Sequence, residues 1–317
     1  LKIKEIRLGN IVLPNNVFMA PLAGYTCYPF RYLCYELGAG LCFTEMVNVN
    51  SLRYNDIATK RLLLTTKKEK YKVVQLVGSD PRAIEQMAKS DYIAYFDIID
   101  INMGCPVPNL VKSGQGSALL GDLKRASHII KQCRKSGKTV TVKTRIGLKE
   151  DKLIAAEFAK MCEDSGASMI TIHGRSRNMM YKGTPYFDQI EQAVSVVNIP
   201  VIANGGIYSK EDADIMMNST GADGVMIARY ALENPFIFSE LTNKKVDKSF
   251  KRIINEQIEI TSKYYDEVYT LDYIKRFISF CMRTQKGSNK LKQSLNKCGN
   301  IDEIKNIIGL IFNKEGE

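Results

Sequence analysis

Ile98-Ile99-Asp100-Ile101-Asn102-Met103-Gly104-Cys105 is the stretch on which the fold class turns. It is short, rich in β-branched residues and almost continuously apolar, the composition of a parallel strand buried on both faces. Seven more runs of this kind occupy residues 17–21, 41–46, 72–78, 140–145, 169–175, 200–206 and 224–229. Helical patterns fall between them, at 30–37, 81–89, 123–135, 152–164, 187–197, 210–217 and 234–241, with a fainter one over 56–65. Asp80 before Pro81 reads as a helix N-cap followed by a first-turn proline. Eight strands alternating with helices over some 240 residues predict an α/β fold, a (β/α)8 TIM barrel. An open doubly wound sheet is the alternative, but no G-x-G-x-x-G follows the first strand.

Outside this repeat, residues 1–16 read as a hairpin that plugs the barrel bottom, with turns at Gly9-Asn10 and Asn15-Asn16. Beyond Thr242 the strand runs stop. Helical periodicity takes over at 250–265, 271–283, 291–297 and 301–312. The expected organisation is therefore a barrel over 1–242 and a small all-helical domain over 243–317. The stretch 283–300 holds Arg283, Lys286, Lys290, Lys292 and Lys297 with no acid, a candidate phosphate-facing surface.

The 317 residues carry a net charge of +11, which favours polyanionic partners such as nucleic acid. A 45% hydrophobic and 25% charged composition excludes disordered and collagen-like classes. No apolar run reaches the ~20 residues a membrane helix needs, and the alternating start Leu1–Leu8 is unlike a secretory signal. The eight cysteines (27, 34, 42, 105, 133, 162, 281 and 298) form no C-x-x-C. With two histidines in the chain, no metal cluster is expected. The cysteines are read as reduced thiols of a cytoplasmic protein, mostly core-filling.

Barrel chemistry gathers where the strands end. There the sequence places Pro21, Leu22 and Ala23 after the first run, Gln75 within the third, and Asn102 and Cys105 at the end of the fourth. The fifth run carries Lys143, whose burial demands an anion or acceptor. His173 and Arg175 close the sixth, Asn204, Gly205 and Gly206 the seventh, and Ala228 and Arg229 the eighth. The last two loops are the usual phosphate cradle of such barrels. Lys, His, Asn and Arg over a glycine-lined phosphate site fit a phosphorylated planar cofactor, FMN, whose reduced ring a lysine would stabilise.

At these residues the chain resembles the tRNA-dihydrouridine synthase family, closest to its bacterial type B branch. The likeness runs through Ala20-Pro21-Leu22-Ala23-Gly24-Tyr25-Thr26, Pro29-Phe30-Arg31, Glu45-Met46, Gln75, Asn102-Met103-Gly104-Cys105-Pro106, Lys143-Thr144-Arg145-Ile146-Gly147, His173-Gly174-Arg175, Asn204-Gly205 and Asn234-Pro235-Phe236-Ile237-Phe238. It implies an FMN barrel with a helical tRNA-binding domain, reduced by NADPH (or NADH). The reduced flavin gives a hydride to C6 of a uracil in tRNA and Cys105 protonates C5. The resemblance assigns FMN contacts to Pro21, Leu22, Ala23, Gln75, Lys143, His173, Asn204, Gly205, Gly206, Ala228 and Arg229. Candidate uracil or RNA contacts are Asn102, Arg175, Lys112, Lys275, Arg276 and Arg283. A uracil in folded RNA must leave its stack to reach a flavin. The family expectation is a monomer without a stable protein partner and away from membranes.

Four positions depart from the family pattern. Gly206 stands where Asp is usual, Ala228 where Gly is usual, Asn109 where Lys is often seen, and Phe277 in place of a frequent His. Two other readings share parts of the pattern. One is an FMN-dependent oxidoreductase of a free pyrimidine, of dihydroorotate or dihydropyrimidine type. The other is a non-catalytic RNA-binding relative. Ribosomal RNA is an alternative substrate.

Overall fold

The computed structural model describes residues 1–53, 57–283 and 288–312. The hairpin β1 (Ile6–Leu8) and β2 (Ile11–Leu13) precedes β3 (Val17–Met19), α1 (Tyr28–Glu36), β4 (Leu41–Asn48), α2 (Val49–Arg53), α3 (Ile57–Arg61), β5 (Val73–Val77) and α4 (Pro81–Ala88). Then come β6 (Ile98–Met103), α5 (Pro108–Lys112), α6 (Leu123–Arg134), β7 (Thr139–Arg145), β8 (Gly147–Lys149), β9 (Lys152–Leu153), α7 (Ala155–Asp164) and β10 (Met169–His173). The barrel half of the chain ends with α8 (Phe187–Val196), β11 (Val201–Asn204), α9 (Lys210–Thr220), β12 (Gly224–Ile227), α10 (Tyr230–Glu233) and α11 (Ile237–Thr242). Four helices follow: α12 (Phe250–Tyr264), α13 (Glu267–Cys281), α14 (Ser288–Lys297) and α15 (Ile301–Phe312).

Strands β3 to β7 and β10 to β12 are all parallel and close into one barrel, β12 pairing β3 and β7 pairing β10. This is the (β/α)8 architecture, and each of its eight strands lies within an apolar run read from the sequence or overlaps it. Continuous burial explains why: β5, β6, β10, β11 and β12 are buried at every residue. The β1–β2 hairpin closes the N-terminal end. Ile6, Leu8 and Leu13 pack there with Phe18, Phe43, Ile98, Met169 and Met226. At the bend between β2 and β3, Asn16 is also a buried tie, donating to the carbonyls of Lys2 at 3.2 Å and Asp223 at 2.8 Å.

Three local expectations are corrected. The helix read from 152 begins at Ala155, because Gly147–Leu153 folds back as the β8–β9 hairpin. A Cβ on Gly147 would sit 2.6 Å from the carbonyl oxygen of Lys152, so only glycine lets the strands approach. The helix read over 234–241 begins only at Ile237, as α11, and the short α10 ends before it, at Glu233. Asn234 precedes Pro235, which disfavours helical backbone, and it sits at φ −134°, ψ 89°. Of the pattern over 56–65, the helix keeps Ile57–Arg61, and Asp56 lies outside the described residues. The Asp80 cap is present, its carboxylate accepting from the Arg82 N–H at 2.9 Å.

The C-terminal helices share the barrel's outer core. Ile253, Ile254, Tyr273 and Phe277 join the cluster that holds Phe30 and Leu33 of α1. Gln257 donates to the Pro29 carbonyl at 3.1 Å and accepts from Tyr273 Oη at 2.6 Å. Among the described residues no helix is long and apolar enough to cross a membrane.

Candidate active site

A cavity of about 390 Å3 opens at the C-terminal end of the barrel. It is lined by Pro21, Leu22, Ala23, Gln75, Asn102, Cys105, Lys143, His173, Arg175, Asn204, Gly205, Gly206, Ala228 and Arg229, all singled out from the sequence. With Met46 of β4, residues from all eight barrel strands or the loops after them converge on one volume.

Cys105 is the one cysteine of the eight that is only half buried. It follows β6 on the loop into α5. Its backbone is gripped on both sides: its N–H donates to Asn102 Oδ1 at 2.9 Å, and its carbonyl accepts from Ser117 N–H at 3.0 Å. Gly116, at φ +58°, passes so close that a Cβ would lie 2.8 Å from that carbonyl oxygen. Burial pushes the thiol above its usual range, against the pull of Arg145 and Lys143. At neutral pH Cys105 is therefore a protonated thiol, able to give a proton.

Lys143 rises from β7 and donates to Asn204 Oδ1 at 3.1 Å, while Asn204 donates to the Met226 carbonyl at 2.7 Å. Burial and the charge of Arg145 lower the ammonium to about 8, with Asp100 opposing. Among the described residues Lys143 has no ion pair. His173 is 7% exposed and held well below its ordinary value by burial, then by Arg145, Lys143, Arg175 and Arg229, so it is neutral at pH 7. Beneath Cys105, Asp100 is fully buried and its carboxyl is raised to about 6 by that burial.

The remaining expected contacts divide. Arg175 is 5% exposed, and its guanidinium is taken by the carbonyls of Lys182 and Gly183, with Gly183 at 2.7 Å. It holds a loop and faces the cavity rather than open solvent. Asn102 spends its amide oxygen on the Gly104 and Cys105 N–H groups and donates to Gln75 Oε1 at 3.0 Å. Lys112 is exposed on α5, away from the cavity lining. In α13, Lys275 donates to the Cys298 carbonyl at 2.6 Å and so caps α14. Arg276 is exposed, its guanidinium 6.0 Å from the ring of Tyr25, a cavity residue. Arg283 pairs with Glu233 at 3.0 Å. Lys290, Lys292 and Lys297 are exposed on α14, and Lys286 lies outside the described residues.

Two of the departures have local causes. Gly206 adopts φ +72° and a Cβ there would lie 3.0 Å from Pro185 Cγ, so this loop geometry selects glycine. Phe277 is 3% exposed and packs edge-on against Phe30 at 6.2 Å, a core residue. Ala228 is half buried in the cavity wall, and Asn109 is exposed on α5.

Two participants have no role assigned from the sequence, although Arg145 lies within the Lys143–Gly147 motif. Tyr181, on the loop after β10, lies under Arg229 at 4.3 Å and Arg145 at 5.5 Å and forms part of the cavity rim. Arg145 ties that loop to the Cys105 loop, donating to the carbonyls of Gly104, Ser176 and Met180 at 3.0, 2.9 and 2.8 Å. Met180 has a left-handed φ of 54°, a conformation this clamp helps to hold.

A family model described as dihydrouridine synthase matches residues 18–312. A tRNA-dihydrouridine synthase B of Vibrio parahaemolyticus is 32% identical over 301 residues, 92% of this chain and 94% of that protein. A probable tRNA-dihydrouridine synthase of Rickettsia conorii is 35% identical over 272 residues, 84% of this chain and 82% of its own. Among solved structures, morphinone reductase in complex with tetrahydroNAD superposes with a TM-score of 0.56 at 15% identity, covering 85% of this chain and 96% of that one. At that identity the likeness is one of fold.

Proposed function

The chain belongs to the dihydrouridine synthase family, and we propose that it reduces a uracil of tRNA to 5,6-dihydrouridine in the cavity beside Cys105. The observation that carries the reading is the placement of its single half-buried thiol, kept protonated by burial, in a cavity that also holds Lys143 and His173.

The residues present fit FMN. Gly205 and Gly206, at φ +112° and +72°, offer backbone to the cavity with no side chain between. A Cβ on Gly205 would lie 2.6 Å from His173 Cδ2, so any larger residue would fill the cradle. Lys143 lacks a carboxylate partner among the described residues and meets the requirement for a ligand bearing negative charge. Pro21, Leu22, Ala23, Gln75, Lys143, His173, Asn204 and Ala228 would hold the ring and sugar chain, and Gly205, Gly206 and Arg229 the phosphate.

When bound and reduced by NADPH (or NADH), FMN supplies the hydride that C6 of uracil receives. Cys105 gives its Sγ proton to C5, which completes saturation of the C5–C6 bond. The thiolate left behind is stabilised by the Arg145 and Lys143 charges and recovers a proton from water. Asn204 aims Lys143, and Arg145 keeps the Cys105 loop and the Tyr181 loop together over the cavity. Arg276 and the α14 lysines provide positive charge for the RNA backbone. Residues 243–317 are read as the tRNA-binding helical domain, and the working unit as a cytoplasmic monomer. Eight free cysteines support a reducing compartment.

The test is an absorbance spectrum of the purified protein, anaerobic NADPH addition, and a dihydrouridine assay on unmodified tRNA. Flavin bands that bleach, with product formed on tRNA, are expected. Turnover of free uracil or orotate without RNA would favour a small-molecule oxidoreductase instead. A colourless protein that binds tRNA but takes up no FMN would favour a non-catalytic relative.

A further inference from the structure

Asp100 is 0% exposed, on β6, and the proposed reaction makes no use of it. In register it lies between Gln75 of β5 and Thr141 of β7, all three facing the barrel interior. Thr141 Oγ1 donates to Asp100 Oδ1 at 2.6 Å, and Gln75 Nε2 donates to Asp100 Oδ2 at 2.7 Å. The chain then continues upward. Asn102 Nδ2 donates to Gln75 Oε1 at 3.0 Å, and Asn102 Oδ1 accepts the N–H groups of Gly104 at 3.2 Å and Cys105 at 2.9 Å.

The two amides in the middle have no direction of their own, since each can turn over and exchange oxygen for nitrogen. The ends do have one: a carboxylate only accepts and a backbone N–H only donates. A single orientation of Gln75 and Asn102 satisfies every link. The backbone N–H groups above fix the oxygen of Asn102, and Asp100 below fixes the nitrogen of Gln75. If the lower end were silent, Gln75 could turn its nitrogen toward Asn102 Nδ2, and two donors would then face each other beneath the Cys105 loop.

We propose that Asp100 is a positioning residue for the proton donor: it sets the direction of the Gln75–Asn102 chain whose far end pins the backbone of Cys105. The inference rests on Cys105 being the acid of the reaction proposed above. It assigns Asp100 no contact with substrate or cofactor.

The experiment compares Asp100→Asn and Asp100→Leu in the flavin-loaded protein. Asparagine can still accept from Gln75 while turning its amide to Thr141 Oγ1, whereas leucine fills the space and accepts nothing. Three quantities are read: the anaerobic NADPH half-reaction, dihydrouridine formed on tRNA, and the rate at which iodoacetamide alkylates Cys105. The other seven cysteines are buried, so the fast alkylation reports this thiol. Asp100→Asn should stay within about 3-fold of wild type on all three, whereas Asp100→Leu should lose about 10- to 100-fold in product while keeping its half-reaction. Alkylation in Asp100→Leu should be about 3-fold faster or more, as the loop is released. Unchanged product and alkylation rates in Asp100→Leu would overturn the proposal. So would an Asp100→Asn variant as impaired as the leucine, because charge rather than hydrogen-bond direction would then matter. Should the leucine variant not fold, Asp100→Ala removes the acceptor without crowding, and the same faster alkylation is expected. A wild-type protein that makes no dihydrouridine would sink the functional reading, while the alkylation comparison would still decide the positioning role.

Discussion

Arg31 and Glu69 meet through two parallel contacts, Nε to Oε1 at 2.8 Å and Nη2 to Oε2 at 2.9 Å, with each side chain 2% exposed. The guanidinium also donates to the carbonyls of Thr26 at 2.8 Å and Leu64 at 2.7 Å. The pair therefore ties α1 to the segment before β5, next to the Leu22–Thr26 turn of the cavity. Glu69→Ala leaves a buried cation without its anion, and the expected cost is about 3–5 kcal/mol. Thermal unfolding measures it. Replacing both residues by methionine should cost less than Glu69→Ala alone, and equal losses would mean the unpaired charge is not the source.

Cys105→Ala should retain bound flavin and its reduction by NADPH while losing dihydrouridine formation by about 100-fold or more, the usual worth of a positioned acid. Because burial raises the thiol, the acid form persists to higher pH than in a free cysteine. The product-forming step should thus hold level through neutral pH and fall only on the alkaline side. Rapid-quench rates between pH 6 and 10 read this, and a fall beginning below pH 8 would contradict it.

Lys143 titrates near 8 in the cavity, lowered first by burial and then by Arg145, from an ordinary 10.5. Between those values the unfolded chain binds the proton and the folded apoprotein does not, so apoprotein stability rises with pH across this window. Anionic FMN restores the charge and takes up a proton. Its affinity should weaken as pH climbs above about 8, by at most about 10-fold per unit. Flavin fluorescence quenching at pH 7, 8 and 9 measures the slope, and Lys143→Met should flatten it while weakening binding throughout.

Gly206→Asp restores the residue common in the family at a position with φ +72° and Pro185 Cγ 3.0 Å from the new Cβ. The left-handed conformation costs an L-residue roughly 1–2 kcal/mol. The variant should melt lower and bind FMN no more tightly. Tighter binding with an unchanged melting temperature would show that the loop tolerates the carboxylate.

Strand positions were legible because burial on both faces writes a nearly continuous apolar run, as in Ile98–Met103, broken only by Asp100 and Asn102. The strand ends were legible because Lys143 and Asn102 are anomalous inside such runs. The β8–β9 hairpin was not, since Lys152 and Leu153 continue the helical pattern that follows and nothing local marks the close approach at Gly147. The Asp100–Gln75–Asn102 chain depends on register between neighbouring strands, which one sequence does not state. Tyr181 depends on the path of a loop, and Lys275 looks like a surface cation until its contact with the Cys298 carbonyl is seen.

Tyr25 at the cavity wall meets Phe280 of α13 edge-on at 5.1 Å, and Cys281 Sγ reaches the Leu232 carbonyl at 3.4 Å. With Gln257 fastened to Pro29, the helical unit is braced against the barrel at several separate points. Such bracing turns the molecule into a caliper with its jaws locked. On the proposed reading of residues 243–317 as RNA-binding, RNA along α13 and α14 would be measured from a fixed mark, Cys105. Under that reading, span along the helices would select the nucleotide that reaches the thiol.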